Sequence, residues 1–147
     1  MADELDNKVY QKAVELLSLR LHTTGELQKK LKTRGFKDED IVPILHRLEE
    51  LDFLNDERFA QIFVDNLKRY KDFGYYGIRA KLAQRQIPSD IAAAALKEFF
   101  TAEDESVVAK RLLKKIAKKT YEQKARALST RGFRSEILRK VLRPDSD

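Results

Sequence analysis

Leu31-Lys32-Thr33-Arg34-Gly35-Phe36, Leu82-Ala83-Gln84-Arg85-Gln86-Ile87 and Leu128-Ser129-Thr130-Arg131-Gly132-Phe133 are one pattern written three times, 51 and 46 residues apart. Each copy reads as the end of a helix. The arginine falls in the last turn, where a cation complements the negative end of the helix dipole. The glycine takes the left-handed C′ conformation, and the aromatic or aliphatic residue after it folds back onto the apolar face as the chain reverses. Gln86 stands in the glycine position of the middle copy, at a cost of about 1 kcal/mol if the left-handed turn is kept. After each copy comes a polar cap (Asp38, Ser89, Ser135) and a new apolar helix starting at Ile41, Ile91 or Ile137. A period of this length marks a helical repeat array.

Outward from these turns the apolar spacing is helical throughout. Val9, Ala13, Leu16 and Leu17 share one helix face, as do Phe59, Phe63 and Leu67, and Ala109, Leu112, Leu113 and Ile116. No stretch sustains period-two alternation. Thr23-Thr24-Gly25-Glu26 reads as a capping box, and Asn55 before Asp56-Glu57 as an N-cap. Pro88 and Pro144 fit helix boundaries, whereas Pro43 must lie in a first turn or kink its helix. The fold expected is all-α: three tandem three-helix repeats, nine helices in all, stacked into an elongated, curved array because a single repeat cannot bury its own apolar stripe. The repeats span residues 1–53, 54–100 and 101–143, with 144–147 a disordered tail.

At 147 residues the chain is long enough for a core without staples, and it has no cysteine, which removes disulfides, thiolate metal sites and thiol catalysis. Met1-Ala2-Asp3-Glu4 is acidic, unlike a signal peptide, and no apolar run approaches the length of a membrane span. A soluble, cytoplasmic protein is expected. The net charge of +6 is unevenly placed. Residues 1–105 hold 17 Lys and Arg against 20 Asp and Glu, a net of −3, while residues 106–147 hold 13 against 4, a net of +9. A basic final third suggests a polyanionic or acidic partner, with a merely solvated surface as the alternative.

Nothing in the chain assembles into a catalytic site, and neither a metal nor a cofactor is expected. His22 and His46, the two histidines, have no ligand partner at helical spacing and read as structural. The acidic runs Asp38-Glu39-Asp40 and Glu103-Asp104-Glu105 complement helix N-termini. Gly74 and Gly77 are not followed by the Gly-Lys-Ser/Thr of a phosphate loop.

Two features suit binding. On a helix from about Asp104 to Lys119, Lys110, Lys114 and Lys118 form one ridge and Arg111, Lys115 and Lys119 the next, opposite the apolar face. Six cations on one face can neutralise phosphates; the alternative is a solvated face. In the run Lys68 to Arg79, aromatics alternate with cations (Arg69, Lys71, Tyr75, Tyr76, Arg79), an arrangement that stacks on bases while tracking a backbone. The alternative puts Tyr70 and Phe73 in the core and leaves Tyr75 and Tyr76 exposed. Gly74 and Gly77 make this the most deformable turn. Arg126 adds a further cation in the basic third.

Leu54-Asn55-Asp56-Glu57-Arg58-Phe59-Ala60, Gly74 through Leu82, and the Arg-Gly-Phe turns at 34–36 and 131–133 together resemble the RecX regulators of bacterial RecA recombinase, over about Val9 to Leu142. Tyr75, Gly77 and Gln86 depart from that family's usual proline, basic residue and glycine. The resemblance implies a non-enzymatic, monomeric modulator without cofactor. It would lodge in the helical groove of the RecA–DNA filament, touch single- or double-stranded DNA there, and limit filament growth, ATP hydrolysis, strand exchange and the co-protease activity of the SOS response. A free-standing single-stranded nucleic-acid-binding module, acting without RecA, is the competing expectation.

Overall fold

The computed structural model describes residues 2–142; the expected tail at 144–147 lies outside them. Nine helices, and no strand, occur among the described residues: α1 (Ala2–Leu19), α2 (Thr24–Thr33), α3 (Asp38–Glu50), α4 (Asp56–Tyr70), α5 (Tyr75–Gln84), α6 (Ser89–Phe99), α7 (Ala102–Lys115), α8 (Tyr121–Thr130) and α9 (Ser135–Val141). They follow the threefold pattern of longer helix, short helix, turn and third helix.

The turns form as their chemistry dictates. Phe36 N–H bonds the Leu31 carbonyl (3.2 Å) and Gly35 N–H the Lys32 carbonyl (2.9 Å), with Gly35 at φ +95°. Phe133 and Gly132 repeat this on Leu128 and Ser129, with Gly132 at φ +83°. These are six-to-one and five-to-two closures of a helix end. Gln86 keeps the left-handed turn at φ +62° despite its side chain. A fourth such end was not anticipated. Asp52 closes α3 at φ +64°, with Phe53 N–H on the Leu48 carbonyl at 2.8 Å. Aspartate tolerates this region, and the Asp52 carboxylate is held by Arg58 at 2.7 and 2.9 Å.

Caps divide into two kinds. The Thr23–Glu26 box is present, and Arg58 N–H donates to Asn55 Oδ1 at 2.9 Å. Asp38, Ser89 and Ser135, expected as caps, are instead the first helical residues. The cap positions belong to Lys37, Pro88 and Arg134, none with a side-chain cap bond. Carboxylates of the first turn (Asp38 to Asp40, Asp90, Glu136) complement those ends electrostatically instead. Pro43 lies in the second turn of α3, which continues to Glu50. The carbonyl its ring deprives of a partner belongs to Glu39, a residue exposed to water.

The chain forms two compact units. The first comprises the chain up to Phe59 together with Arg85–Ile87, around a core of Val9, Ala13, Leu16, Leu27, Leu31, Ile41, Ile44, Leu45, Leu48 and Leu54. The second comprises Ala60–Gln84 and the chain from Pro88 on, and buries Val64, Ile78, Leu82, Leu96, Phe100, Leu112, Leu128, Phe133 and Ile137.

A candidate nucleic-acid interface in the second unit

α7 begins in a capping box, Thr101 Oγ1 accepting from Asp104 N–H at 3.1 Å and the Asp104 carboxylate from Thr101 N–H at 3.0 Å. It packs Val108, Ala109 and Leu112 inward and leaves Lys110 and Lys114 exposed. The helix is shorter than expected. It ends at Lys115 with Ile116 as its cap, so Lys118 and Lys119 lie in the turn beyond it rather than on its ridges. Among the described residues Lys110, Lys114, Lys118 and Lys119 are exposed and make no ion pair.

Arg111 and Lys115 do something else. Arg111 Nε bonds Asp72 Oδ1 at 3.0 Å, and its terminal nitrogens donate to the carbonyls of Lys68 (3.1 Å), Arg69 (3.2 Å) and Lys71 (2.6 Å). That closes the C-terminal end of α4 with a guanidinium, where the orphan carbonyls need donors. Lys115 Nζ takes the other Asp72 oxygen at 2.5 Å. Burial alone would raise the Asp72 pKa, but its bonds to Lys115 and Arg111 outweigh that and hold it below the ordinary carboxylate value. The clamp sets Arg69, Tyr70 and Lys71, all exposed, beside the α7 cations.

The aromatic run is sorted differently from either expectation. Tyr70, placed in the core by one reading, is 70% exposed. It ends an amphipathic α4 whose buried positions are Ala60 and Val64. Tyr75 is half-buried, its ring under the Arg134 guanidinium at 4.4 Å and edge-on to Tyr76 at 5.4 Å. Tyr76 is 48% exposed with Arg79 over it at 5.0 Å. Arg126 is exposed on α8, in a shallow groove of about 310 Å³ with Gln123, Ala127, Thr130 and Arg131.

The glycines of this loop are packing devices. A Cβ on Gly74 would stand 2.3 Å from Phe133 Cα, and one on Gly77 would stand 2.3 Å from the Arg131 carbonyl oxygen. Neither has a positive φ. Gly74 N–H donates to the Arg131 carbonyl (3.0 Å) and Tyr76 N–H to the Gly132 carbonyl (2.9 Å), so the start of α5 is pinned to the turn before α9. The expected deformability gives way to close backbone contact, which only glycine permits.

Glu105, which the sequence placed with the helix-end acids, is fully buried. Its carboxylate accepts from Tyr75 N–H (3.0 Å), Arg134 N–H (3.0 Å) and Arg134 Nε (2.7 Å). One side chain from α7 thus caps α5 and α9 together. Hydrophobic periodicity carries no trace of such a role, because the carboxylate acts on helices distant in sequence. Buried His22 donates from Nδ1 to the Arg20 carbonyl at 2.9 Å and accepts at Nε2 from Lys30 at 2.7 Å, and burial first of all lowers its pKa. His46 is exposed. Among the described residues no group of three or more His, Cys, Asp or Glu side chains is arranged to hold a metal, and no helix is long and apolar enough to cross a membrane.

Comparison with known proteins agrees with the repeat. Residues 10–48 match the model of the first RecX three-helix domain, and residues 55–96 that of the second. The regulatory protein RecX of Prosthecochloris aestuarii is 36% identical over 97% of this chain and 96% of its own. That of Chlorobaculum tepidum is 33% identical over 89% and 84%. The crystal structure of RecX from Lactobacillus salivarius superposes with a TM-score of 0.83 at 27% identity, covering 97% of this chain and 96% of that one.

Proposed function

The chain belongs to the RecX family of regulatory proteins, and on that premise we propose that it is a non-enzymatic regulator of the RecA–DNA filament. It binds in the filament's helical groove and restrains filament growth, and with it ATP hydrolysis, strand exchange and co-protease activity. The observation that carries the DNA side of this reading is the set of exposed cations at Lys110, Lys114, Lys118 and Lys119, without an ion pair among the described residues, next to exposed Arg69, Tyr70 and Lys71. Such groups track phosphates without reading sequence. Arg111 and Lys115 support the surface from beneath by fixing α7 to the end of α4 through Asp72. Tyr75 acts as a spacer under Arg134, and Tyr76 with Arg79 offers the stacking platform.

The deciding experiment is a titration of the protein, below stoichiometry, into RecA hydrolysing ATP on single-stranded DNA. A fall in rate is expected; an unchanged rate at every ratio overturns the proposal. Exposed Tyr70 and Tyr76 favour a second reading, single-stranded DNA binding without RecA. Binding to DNA alone at about 50 and about 200 mM salt separates the two, since a steep slope with no effect on RecA supports the second. Lys110→Glu, Lys114→Glu and Lys118→Glu together lower the slope by about one unit per lost phosphate contact, helicity being unchanged.

A further inference from the structure

Two of the three Arg-Gly-Phe-type turns are received by the start of a short helix. In the first unit, Arg85-Gln86-Ile87 lies on the start of α2. Thr23 Oγ1 donates to the Arg85 carbonyl at 2.7 Å, and the Arg85 guanidinium meets the Glu26 carboxylate at 2.7 and 3.3 Å. A Cβ on Gly25 would come within 2.7 Å of Gln86 Cβ. In the second unit, Arg131-Gly132-Phe133 lies on the start of α5 through the two backbone bonds and the two glycines already described. Both joints share the same parts. The carbonyl of the turn's arginine accepts a hydrogen bond from the cap position of a helix, and a glycine at that helix start lets the backbones meet.

The remaining copy, Arg34-Gly35-Phe36, is unreceived. Arg34 and Gly35 are exposed, and a Cβ added at Gly35 would meet nothing within 4 Å. Beside the turn lies an open groove of about 410 Å³ lined by Lys8, Gln11, Lys12, Glu15, Arg34 and Phe36. Three of those six residues are cations against one carboxylate, Glu15, which pairs with Lys12 at 3.1 Å; Lys8 and Arg34 leave the groove net positive, so it favours an acidic visitor.

We propose that the Arg34-Gly35-Phe36 turn and this groove are a docking surface for the first turn of a helix in a partner protein. That helix start carries a Ser or Thr cap, a glycine, and a glutamate that pairs with Arg34 as Glu26 pairs with Arg85. A second copy of this chain has no such start to offer. Those of α2 and α5 hold their own turns, and α8 begins Tyr121-Glu122-Gln123, with side chains where α2 has Gly25 and α5 has Gly77. Lys118 and Lys119 just before α8 would also face Lys8, Lys12 and Arg34 with like charge.

The test uses the full, ¹⁵N-labelled protein and a stapled helical peptide copying residues 22–33, the chain's own helix start. Saturable shifts of the Gly35 and Phe36 amides are expected. They weaken at least about tenfold when the peptide carries Gly25→Val, or when the protein carries Arg34→Glu with its helicity intact. No shift at these amides with about 1 mM peptide overturns the proposal, as does equal binding by the valine peptide. Sedimentation of the protein alone closes the other route: self-association abolished by Arg34→Glu assigns the turn to a second copy and refutes a foreign partner.

Discussion

Replacing Glu105 by alanine tests whether one buried carboxylate holds the second unit together. The change strips the acceptor from two backbone N–H groups, those of Tyr75 and Arg134, and removes the Arg134 guanidinium's 2.7 Å partner. What remains to Arg134 is the Tyr75 ring at 4.4 Å and an exposed contact with Glu136 at 3.9 Å. Breaking a buried ion pair from one side costs about 3–5 kcal/mol. Because the Arg134 side chain keeps 24% of its exposure, water can reach it, and the low end applies, about 3 kcal/mol. The orphaned N–H groups are part of that loss rather than an addition to it. For a chain of this size each kcal/mol moves the melting temperature by about 2–4 °C, so a drop of roughly 6–12 °C is expected. Thermal and urea unfolding followed by circular dichroism measures it, and hydrogen exchange at the Tyr75 and Arg134 amides localises it. Glu122→Ala, at an exposed position of α8, is the control and should stay within about 0.5 kcal/mol. A Glu105→Ala loss below about 1 kcal/mol, or normal exchange protection at both amides, would refute the reasoning.

Four other outcomes follow from the geometry. Gly77→Ala drives a Cβ to 2.3 Å from a backbone oxygen that cannot rotate away, and an unfolding free energy lowered by about 2–3 kcal/mol in urea titration is expected. Gly35→Ala, in open space at φ +95°, loses only the left-handed strain of about 1–2 kcal/mol. Gln86→Gly relieves strain at φ +62° and raises stability by up to about 1 kcal/mol in the same assay, part of the gain being offset by a freer unfolded chain. The Asp72 clamp is acid-sensitive. Its folded pKa is depressed because the Lys115 and Arg111 bonds overcome the cost of burial. Its contribution is therefore complete above the unfolded value of about 4 and is lost as pH falls through the lower folded value. Asp72→Asn should flatten that part of a stability curve measured below about pH 4, and an unchanged curve would contradict the clamp.

What the sequence revealed and what it hid divide along one line: whether a residue acts on its own helix or on another. The left-handed turns at Gly35, Gln86 and Gly132 are local, as are the capping box at Thr23 and the N-cap at Asn55, and all could be read from a few adjacent letters. Asp38, Ser89 and Ser135 were misplaced by a single position, the usual uncertainty of a helix end. Glu105 and Arg111 were misread, and Asp72 gave no signal, because their partners lie 29 to 43 residues away. In an exposed helix Arg111 would be one more surface cation. Beside the end of α4 it becomes the donor for three carbonyls.

The glycines show the same division. Gly35 and Gly132 are required by their own φ, but Gly25, Gly74 and Gly77 are required by what lies against them. The Arg-Gly-Phe setting marks the first kind in the sequence but nothing local marks the second, whereas substitution separates the two. At Gly35 an alanine meets open space; at Gly77 it meets the next repeat's backbone. Where it is received, the repeated turn therefore has two jobs, ending its own helix and holding the start of a short helix within the same unit. At Arg34-Gly35-Phe36 the first job is done and the second is left for another molecule, which is why the difference between Gly132→Ala and Gly35→Ala, two substitutions that share the left-handed cost, measures the joint itself rather than the turn.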